Sequence, residues 1–125
     1  MALNGGVAYS GGVCGAITGA ALALGMLAER RCADHATAKR VARELTAGLM
    51  AEVAAASGAV DCRTLVGMDL RTPPGHAAFL DSGVWRETCI RQIELAVGRL
   101  AQLGDPSAWD RAVKAVDAGD ERTGS

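Results

Sequence analysis

Aromatic residues and lysine are scarce in this chain of 125 residues. It has two Trp, one Tyr and one Phe, and two lysines against eleven arginines. Sheets favour aromatic and β-branched side chains, whereas the 25 alanines and 16 glycines here suit closely packed helices. Acidic and basic residues number 14 and 13, so the basic surplus typical of nucleic-acid-binding proteins is lacking. Composition and length therefore predict a single all-α domain without a nucleic-acid partner.

Charge is also missing from the N-terminal part of the sequence, where no charged side chain precedes Glu29. A signal peptide begins with a positive region, which residues 1–10 do not supply. A membrane span needs about 20 strongly apolar residues, but residues 13–28 are fewer and include three glycines. We therefore expect no membrane partner and a cytoplasmic location, where thiols stay reduced.

The remaining pattern predicts a compact bundle of about four to five helices behind a glycine-rich loop at residues 3–12. The loop and helices up to residue 104 form the main domain, followed by an appended helix within 105–119 and a frayed tail at 120–125. Predicted helices cover residues 13–31, 34–57, 82–103 and 106–118, with a short helical turn at 62–66.

Two further expectations concern the second half of the chain. Residues 68–80 contain two prolines and a glycine, and they are expected to form the longest irregular stretch. Asp81 or Ser82 is expected to cap the helix that follows. The apolar stripe of that helix is Trp85, Cys89, Ile93, Ala96, Leu100 and Leu103.

The four cysteines carry the chemistry that this sequence offers, at positions 14, 32, 62 and 89. No CxxC occurs, so neither a thioredoxin-type motif nor a zinc ribbon is encoded, and a c-type haem attachment motif is absent. Cys14 and Cys62 begin predicted helices, where thiol pKa values are lowered, so both could be thiolates near neutral pH. Cys89 faces the interior, where periodicity alone favours a small hydrophobic residue. Cys32 lies in a turn.

A nucleophilic thiol needs a base, and the two histidines are His35 and His76. His35 falls in the first turn of a helix and is expected to face solvent. His76 lies in the proline-glycine stretch and could turn towards a cysteine site. The glycine-rich strings around residues 5–19 lack the preceding strand that a dinucleotide-binding fingerprint requires.

The string Cys-Gly-Ala-Ile-Thr-Gly at residues 14–19 resembles the CGAxxG motif of the C_GCAxxG_C_C family, small bacterial and archaeal proteins described as redox-active. The resemblance extends over about residues 4–103. Further matching positions are the glycine pairs at 5–6 and 11–12, then Gly25, Gly58, the Cys-Arg-x-Leu-x-Gly stretch at 62–67, and Cys89.

The resemblance implies that Cys14, Cys62 and Cys89 share one redox site. The first cysteine of the family lies in a helix before the glycine loop, and this chain begins at the loop. An iron–sulfur cluster usually has four protein ligands, so the fourth would be His76, Cys32, a non-protein ligand or a residue of another subunit. Split-Soret cytochromes resemble the same domain, but their haem-attachment motifs are missing here, so no haem is expected.

Three functions are compatible with these residues. The first is a redox protein in which the three cysteines bind an iron–sulfur cluster or a metal such as iron, for electron transfer with a redox partner protein or for redox sensing. The second is a metal-free thiol/disulfide redox protein. The third is a helical binding or scaffold module with structural cysteines.

A homodimer is the expected assembly. The family resemblance implies an N-terminal helix that is missing here, and its loss would leave an apolar groove beside the first helix. A two-fold dimer is the commonest closed assembly. We expect the glycine-lined first helix and Trp109 to contribute to the interface, close to the cysteine site.

Overall fold

The computed structural model describes residues 2–123, with side chains up to residue 119. In this part of the chain the fold is all-α, as the sequence predicts, and no strand forms. A π-helical turn, Trp85–Cys89, precedes the fifth helix. The helices are α1 (Gly15–Arg31), α2 (His35–Ser57), α3 (Cys62–Val66), α4 (Pro73–Ser82), α5 (Ile90–Gly104) and α6 (Pro106–Thr123).

Helices α1 and α2 form a hairpin at the centre of the bundle. The Asp34 carboxylate accepts a hydrogen bond from the Thr37 amide at 2.8 Å, which satisfies one of the free N–H groups at the start of α2. Gly58 ends α2 with a φ of 84°, a left-handed conformation that glycine adopts without steric cost. These caps confirm the predicted bounds of α2.

The core consists of two clusters along the packed faces of α1, α2, α5 and α6. One lies near the cysteine-bearing start of α1, and it contains Ile17, Ala20, Leu49, Val53 and Ala96. The other lies towards the opposite end, and it contains Leu24, Ala28, Ala38, Val41, Leu103 and Trp109. Small side chains such as alanine let the helix axes approach closely, as the composition indicates.

The prediction of an irregular stretch at 68–80 is wrong, because most of it is helix α4. Thr72 caps this helix, since its hydroxyl accepts a hydrogen bond from the Gly75 amide at 3.1 Å. Pro73 and Pro74 occupy the first two helical positions, where the missing N–H is not needed. The two prolines therefore begin a helix instead of preventing one.

The predicted start of the next helix is also wrong. Ser82 is the last residue of α4, and Gly83, with a φ of 75°, separates the two helices. The π-helical turn then adds a residue to the helical period. Within α5 the stripe residues Ala96 and Leu103 are buried, but Gln92 is buried with 1% exposed, whereas Ile93, which the apolar stripe places in the core, is 48% exposed.

Helix α6 packs back on its own chain. Asp105 caps it by accepting a hydrogen bond from the Ala108 amide at 3.0 Å. Trp109 is only 4% exposed and lies in the core cluster with Leu24 and Leu103. The expectation that Trp109 contributes to a dimer interface is therefore wrong, because this side chain is used to fold the subunit.

The end of α6 lies beyond the predicted one. Its backbone remains helical to Thr123, whereas the sequence predicts a frayed tail from residue 120. Residues 124 and 125 of that tail lie outside the described residues. None of the helices between residues 2 and 123 has the length and apolar character needed to cross a membrane.

Candidate functional site

The glycine-rich N-terminal segment forms an unusual left-handed turn. Its residues 5–9 all have positive φ, including the non-glycine residues Val7 at 67°, Ala8 at 51° and Tyr9 at 61°. The Tyr9 amide donates to the Asn4 carbonyl at 2.9 Å, which closes the turn. Left-handed backbone costs L-residues about 1–2 kcal/mol each, so the surrounding contacts must hold this turn in place.

Close backbone approaches explain why this segment is rich in glycine. A Cβ atom on Gly15 would collide with the Leu3 carbonyl oxygen, and one on Gly6 would collide with the backbone of Gly12. The segment can therefore fold tightly over the start of α1 because these positions lack side chains.

Two of the candidate cysteines are placed by an isolated antiparallel bridge between Val13 and Asp61. Around it the Cys14 amide donates to the Val60 carbonyl at 2.8 Å, and the Cys62 amide donates to the Gly12 carbonyl at 2.7 Å. Cys14 and Cys62 are thus diagonal neighbours on the same face of the bridge, a relation with a typical separation of about 7–8 Å. The start of α1 and the start of α3 are held together there.

The third cysteine reaches the same place from the π-helical turn. Cys89 is the last residue of that turn, and α3 packs against it. Cys14, Cys62 and Cys89 all line one cavity of about 580 Å³. Residues separated by up to 75 positions in the sequence therefore meet at one end of the bundle.

His76 of α4 also lines this cavity, together with Tyr9 and Phe79. The Tyr9 and His76 rings meet edge to face with centroids 5.9 Å apart, and the Phe79 ring lies 6.5 Å from His76. The His76 imidazole on α4 therefore lies between the Tyr9 and Phe79 rings. The sequence pattern predicts a loop around His76, which is wrong, because His76 lies in α4.

Burial controls the electrostatics of two of the thiols. It raises the pKa of Cys62 to about 11, with smaller contributions from Cys89, Cys14 and Asp61. Burial also raises the pKa of Cys89, and Cys14 adds to this effect. Charged forms are disfavoured in a poorly solvated site, so both thiols are protonated near neutral pH.

The expectation of a Cys62 thiolate is therefore wrong. Helix α3 has five residues, and its N-terminal amide at Thr64 already donates to the Asp61 carboxylate at 2.9 Å. The negative charge that suits this helix end is supplied by Asp61, which disfavours a second negative charge on the adjacent sulfur. Burial and the Asp61 charge together raise the pKa of Cys62 by more than the start of the short helix lowers it.

Cys32 and His35 lie elsewhere. Cys32 follows the last residue of α1, so the length of a 17-residue helix, about 25 Å, separates it from Cys14. His35 is exposed at the start of α2 and pairs with Glu29. Within one subunit, Cys32 is thus placed too far away to be the fourth ligand of a centre that contains Cys14.

The donor set of the cavity consists of thiols and an imidazole, which iron and zinc both bind. However, no three His, Cys, Asp or Glu side chains within the described part of the chain are arranged to hold a metal ion. The arrangement in this structure therefore brings the sulfurs into one cavity without forming a ligand set.

Most of the cavity wall was not predicted from the sequence. Tyr9 lies in a predicted loop, Phe79 and Leu80 lie in a predicted irregular stretch, and Ile93 is a predicted core residue. If the two prolines are read as the start of a helix, Phe79 and Leu80 follow His76 by three and four residues. This spacing places the three side chains on one face of that helix.

Comparison with known proteins identifies a family for most of the chain. The family described as "Putative redox-active protein (C_GCAxxG_C_C)" matches residues 1–103. The searches of curated proteins and of solved structures found no match. The family match covers the N-terminal turn, the bridge and all three cysteines of the cavity. The chain therefore belongs to the C_GCAxxG_C_C family.

Proposed function

We propose that this protein is a thiol redox protein in which Cys62 and Cys89 alternate between a dithiol and a disulfide. The observation that carries this proposal is the cavity that three cysteines share. On oxidation the two thiols lose two electrons and two protons to an oxidant and form one S–S bond. Cys14 is the resolving thiol: its attack on the Cys89 sulfur forms a Cys14–Cys89 bond and releases the Cys62 thiol.

The choice of the first pair follows from the backbone. Disulfides require Cα atoms about 4.4–6.8 Å apart, whereas diagonal neighbours on paired strands are typically about 7–8 Å apart, and Cys14 and Cys62 are diagonal neighbours across the bridge. Cys89 reaches Cys62 through the packing of α3 against the π-helical turn. Of the two cysteines that raise the pKa of Cys62, Cys89 has the larger effect.

A proton acceptor is needed because the Cys62 and Cys89 thiols are protonated near neutral pH. His76 supplies an imidazole in the wall of the same cavity. We assign it the role of accepting the proton from the attacking thiol. Its position between two aromatic rings keeps it on the cavity side of α4.

Thiol counting and peptide mapping test this function. Reduced protein, treated with a mild oxidant under metal-free conditions, should lose two thiols per chain and about two mass units. A peptide linked through Cys62 and Cys89 should appear. Cys62→Ser should abolish the linked peptide, and the matched control Cys32→Ser should leave it unchanged. Retention of all thiols, or a disulfide through Cys32, contradicts the proposal.

An iron–sulfur cluster or iron is a second proposal, supported by the donor types in the cavity. Cys14, Cys62, Cys89 and His76 would be the ligands, and bound iron would supply one-electron chemistry towards a redox partner protein. This requires the side chains to move from their present arrangement. Anaerobic purification with iron and sulfide analysis tests it, and protein without iron or a visible chromophore rejects it.

A further inference from the structure

The cavity with the three cysteines lacks charge. Among the described residues, no Asp, Glu, Lys or Arg side chain lines it. Its wall combines neutral polar groups, such as Asn4 and Tyr9, with apolar side chains such as Leu3 and Leu70. A charged ligand would lose its hydration here without gaining an ion pair, which is costly. The cavity thus selects uncharged molecules.

The volume of the cavity and its aromatic side chains further restrict the class of ligand. The volume of about 580 Å³ lies in the range of small-molecule sites. Tyr9, His76 and Phe79 present three rings to the cavity, with neighbouring centroids 5.9 Å and 6.5 Å apart. An aromatic ligand in the cavity can contact these side chains in stacked or edge-to-face geometry. A planar aromatic ligand therefore fits this wall.

The opening of the cavity is apolar as well. Leu80 at the end of α4 is 55% exposed, and Ile93 on α5 is 48% exposed. Both side chains line the cavity and also face solvent, so they form its rim. Exposed leucine and isoleucine at a cavity rim provide a path for an apolar molecule.

We propose that the cavity binds an uncharged aromatic two-electron acceptor, with quinones as the simplest class, and that this acceptor oxidises the cysteine pair. This inference rests on the proposed thiol function. Two cysteine thiols release two electrons and two protons and form the S–S bond, and the quinone takes up both electrons and both protons to become a hydroquinone. Every reactant and product stays neutral, so no net charge remains in the uncharged cavity.

Tetramethylbenzoquinone is the probe for the reaction, because its ring carbons are blocked against addition of thiols. Anaerobic reduced protein should yield one hydroquinone per two thiols lost. Ile93→Glu should slow this reaction about tenfold, because it places a charge at the rim. Val97→Glu is the matched control, since Val97 is 58% exposed on the same helix but lies one turn further from the cavity. Equal rates in both variants overturn the proposal.

A second measurement separates charge selection from redox competence. Neutral dithiodipyridine and anionic dithiobis(nitrobenzoate) are both aromatic disulfides that report on thiols. For each thiol, the reaction rate with the neutral reagent is divided by the rate with the anionic reagent. This ratio should be about tenfold higher for the protein than for a free small thiol. An unchanged ratio overturns the inference about ligand class, even when the Cys62–Cys89 disulfide forms. Strong preference without any protein disulfide supports the ligand class and rejects the thiol function.

Discussion

Burial sets the chemistry of single residues at the site, and Cys62 is the clearest case. Its pKa of about 11 lies above the ordinary 9.0 because desolvation disfavours the thiolate, and Cys89, Cys14 and Asp61 add to the effect. The neutral thiol is therefore the stable form of this residue over the physiological range. Reactivity then depends on proton transfer at the moment of attack.

Alkylation of Cys62 should show this pKa directly. A pKa of about 11 in place of 9.0 lowers the thiolate fraction at about pH 8 some 100-fold, and the alkylation rate falls with it. Mass spectrometry of iodoacetamide-treated protein across pH measures the rate at each cysteine. A Cys62 rate that already levels off below pH 9 contradicts the burial argument.

The same pKa affects stability with a defined sign. The pKa of Cys62 is higher in the folded state than in the unfolded state. Its contribution to the free energy of unfolding is therefore fully present below the unfolded pKa of 9.0 and is lost as the pH rises through about 11. Cys62→Ser should therefore flatten the loss of stability in this alkaline range.

Gln92 is the second residue whose role depends on its surroundings. Its side chain is 1% exposed, and its amide nitrogen donates to the Ser57 hydroxyl at 2.7 Å. Ser57→Ala should lower the free energy of unfolding by about 1–3 kcal/mol, since it leaves a buried amide unpaired. Adding Gln92→Leu should recover part of this loss. Urea denaturation of the two single variants and the double variant measures the coupling energy between Ser57 and Gln92. Strictly additive changes in the free energy of unfolding would refute this coupling.

At the scale of elements, side-chain caps decide where the helices begin. Asp34, Asp61, Thr72 and Asp105 each accept a hydrogen bond from a backbone amide in the first turn of their helix. The π-helical turn shifts the residues before α5 relative to the α-helical period. It also carries Cys89 to the cavity.

The stabilisation that the Asp34 cap gives to α2 should depend on pH. Hydrogen bonds from the Thr37 amide and hydroxyl lower the pKa of Asp34 below 3.8, so its stabilisation is present above that value and is lost as the pH falls through the folded pKa. Asp34→Ala should reduce the urea midpoint at pH 7 and have less effect at about pH 3. Asp110→Ala, at an exposed position on α6, is the control. An equal effect of Asp34→Ala at both pH values contradicts this role.

Across the whole molecule, α1 and α5 run in the same direction. Their starts meet at the cavity through Cys14 and Cys89. Their ends are joined by Arg31, whose guanidinium donates to the Leu103 and Gly104 carbonyls at 2.8 Å and 2.7 Å. Arg31 also lies 5.4 Å from the Trp109 ring, which ties α6 to the same end. The site and the α6 anchor therefore lie at opposite ends of the bundle.

Trp109 should matter for folding. Trp109→Ala should cost about 3–5 kcal/mol, because it removes a large buried side chain from a core cluster. Trp85→Ala, at a half-buried position, should cost less. Chemical denaturation followed by circular dichroism measures both. A Trp109→Ala variant as stable as Trp85→Ala would show that α6 does not anchor the bundle.

Assembly remains a prediction. We expect a homodimer that uses the exposed side of α1, where Leu22 and Met26 are 62% and 63% exposed. Sedimentation should give about twice 12.8 kDa, and Leu22→Glu with Met26→Glu should shift the protein towards monomer. Lys114→Glu, at an exposed position on α6, is the control. A monomer at high micromolar concentration excludes the dimer.

Features that depend on near neighbours in the chain could be predicted from the sequence. The all-α class follows from alanine, glycine and the scarcity of aromatic residues. The bounds of α2 and the short helix α3 follow from caps and glycines within a few residues of the helix ends. The choice of Cys14, Cys62 and Cys89 required the family resemblance, because periodicity alone treats Cys89 as a core residue.

Properties that depend on distant neighbours required the folded structure. The Cys62 pKa was expected to fall and instead rises, because burial and Cys89 come from contacts remote in sequence. The burial of Gln92 instead of Ile93 involves Ser57 of α2, a contact that local propensity does not encode. The uncharged cavity is built from the N-terminal turn, α4 and α5 together, and side chains from such separate elements share a wall only once long-range packing has placed them.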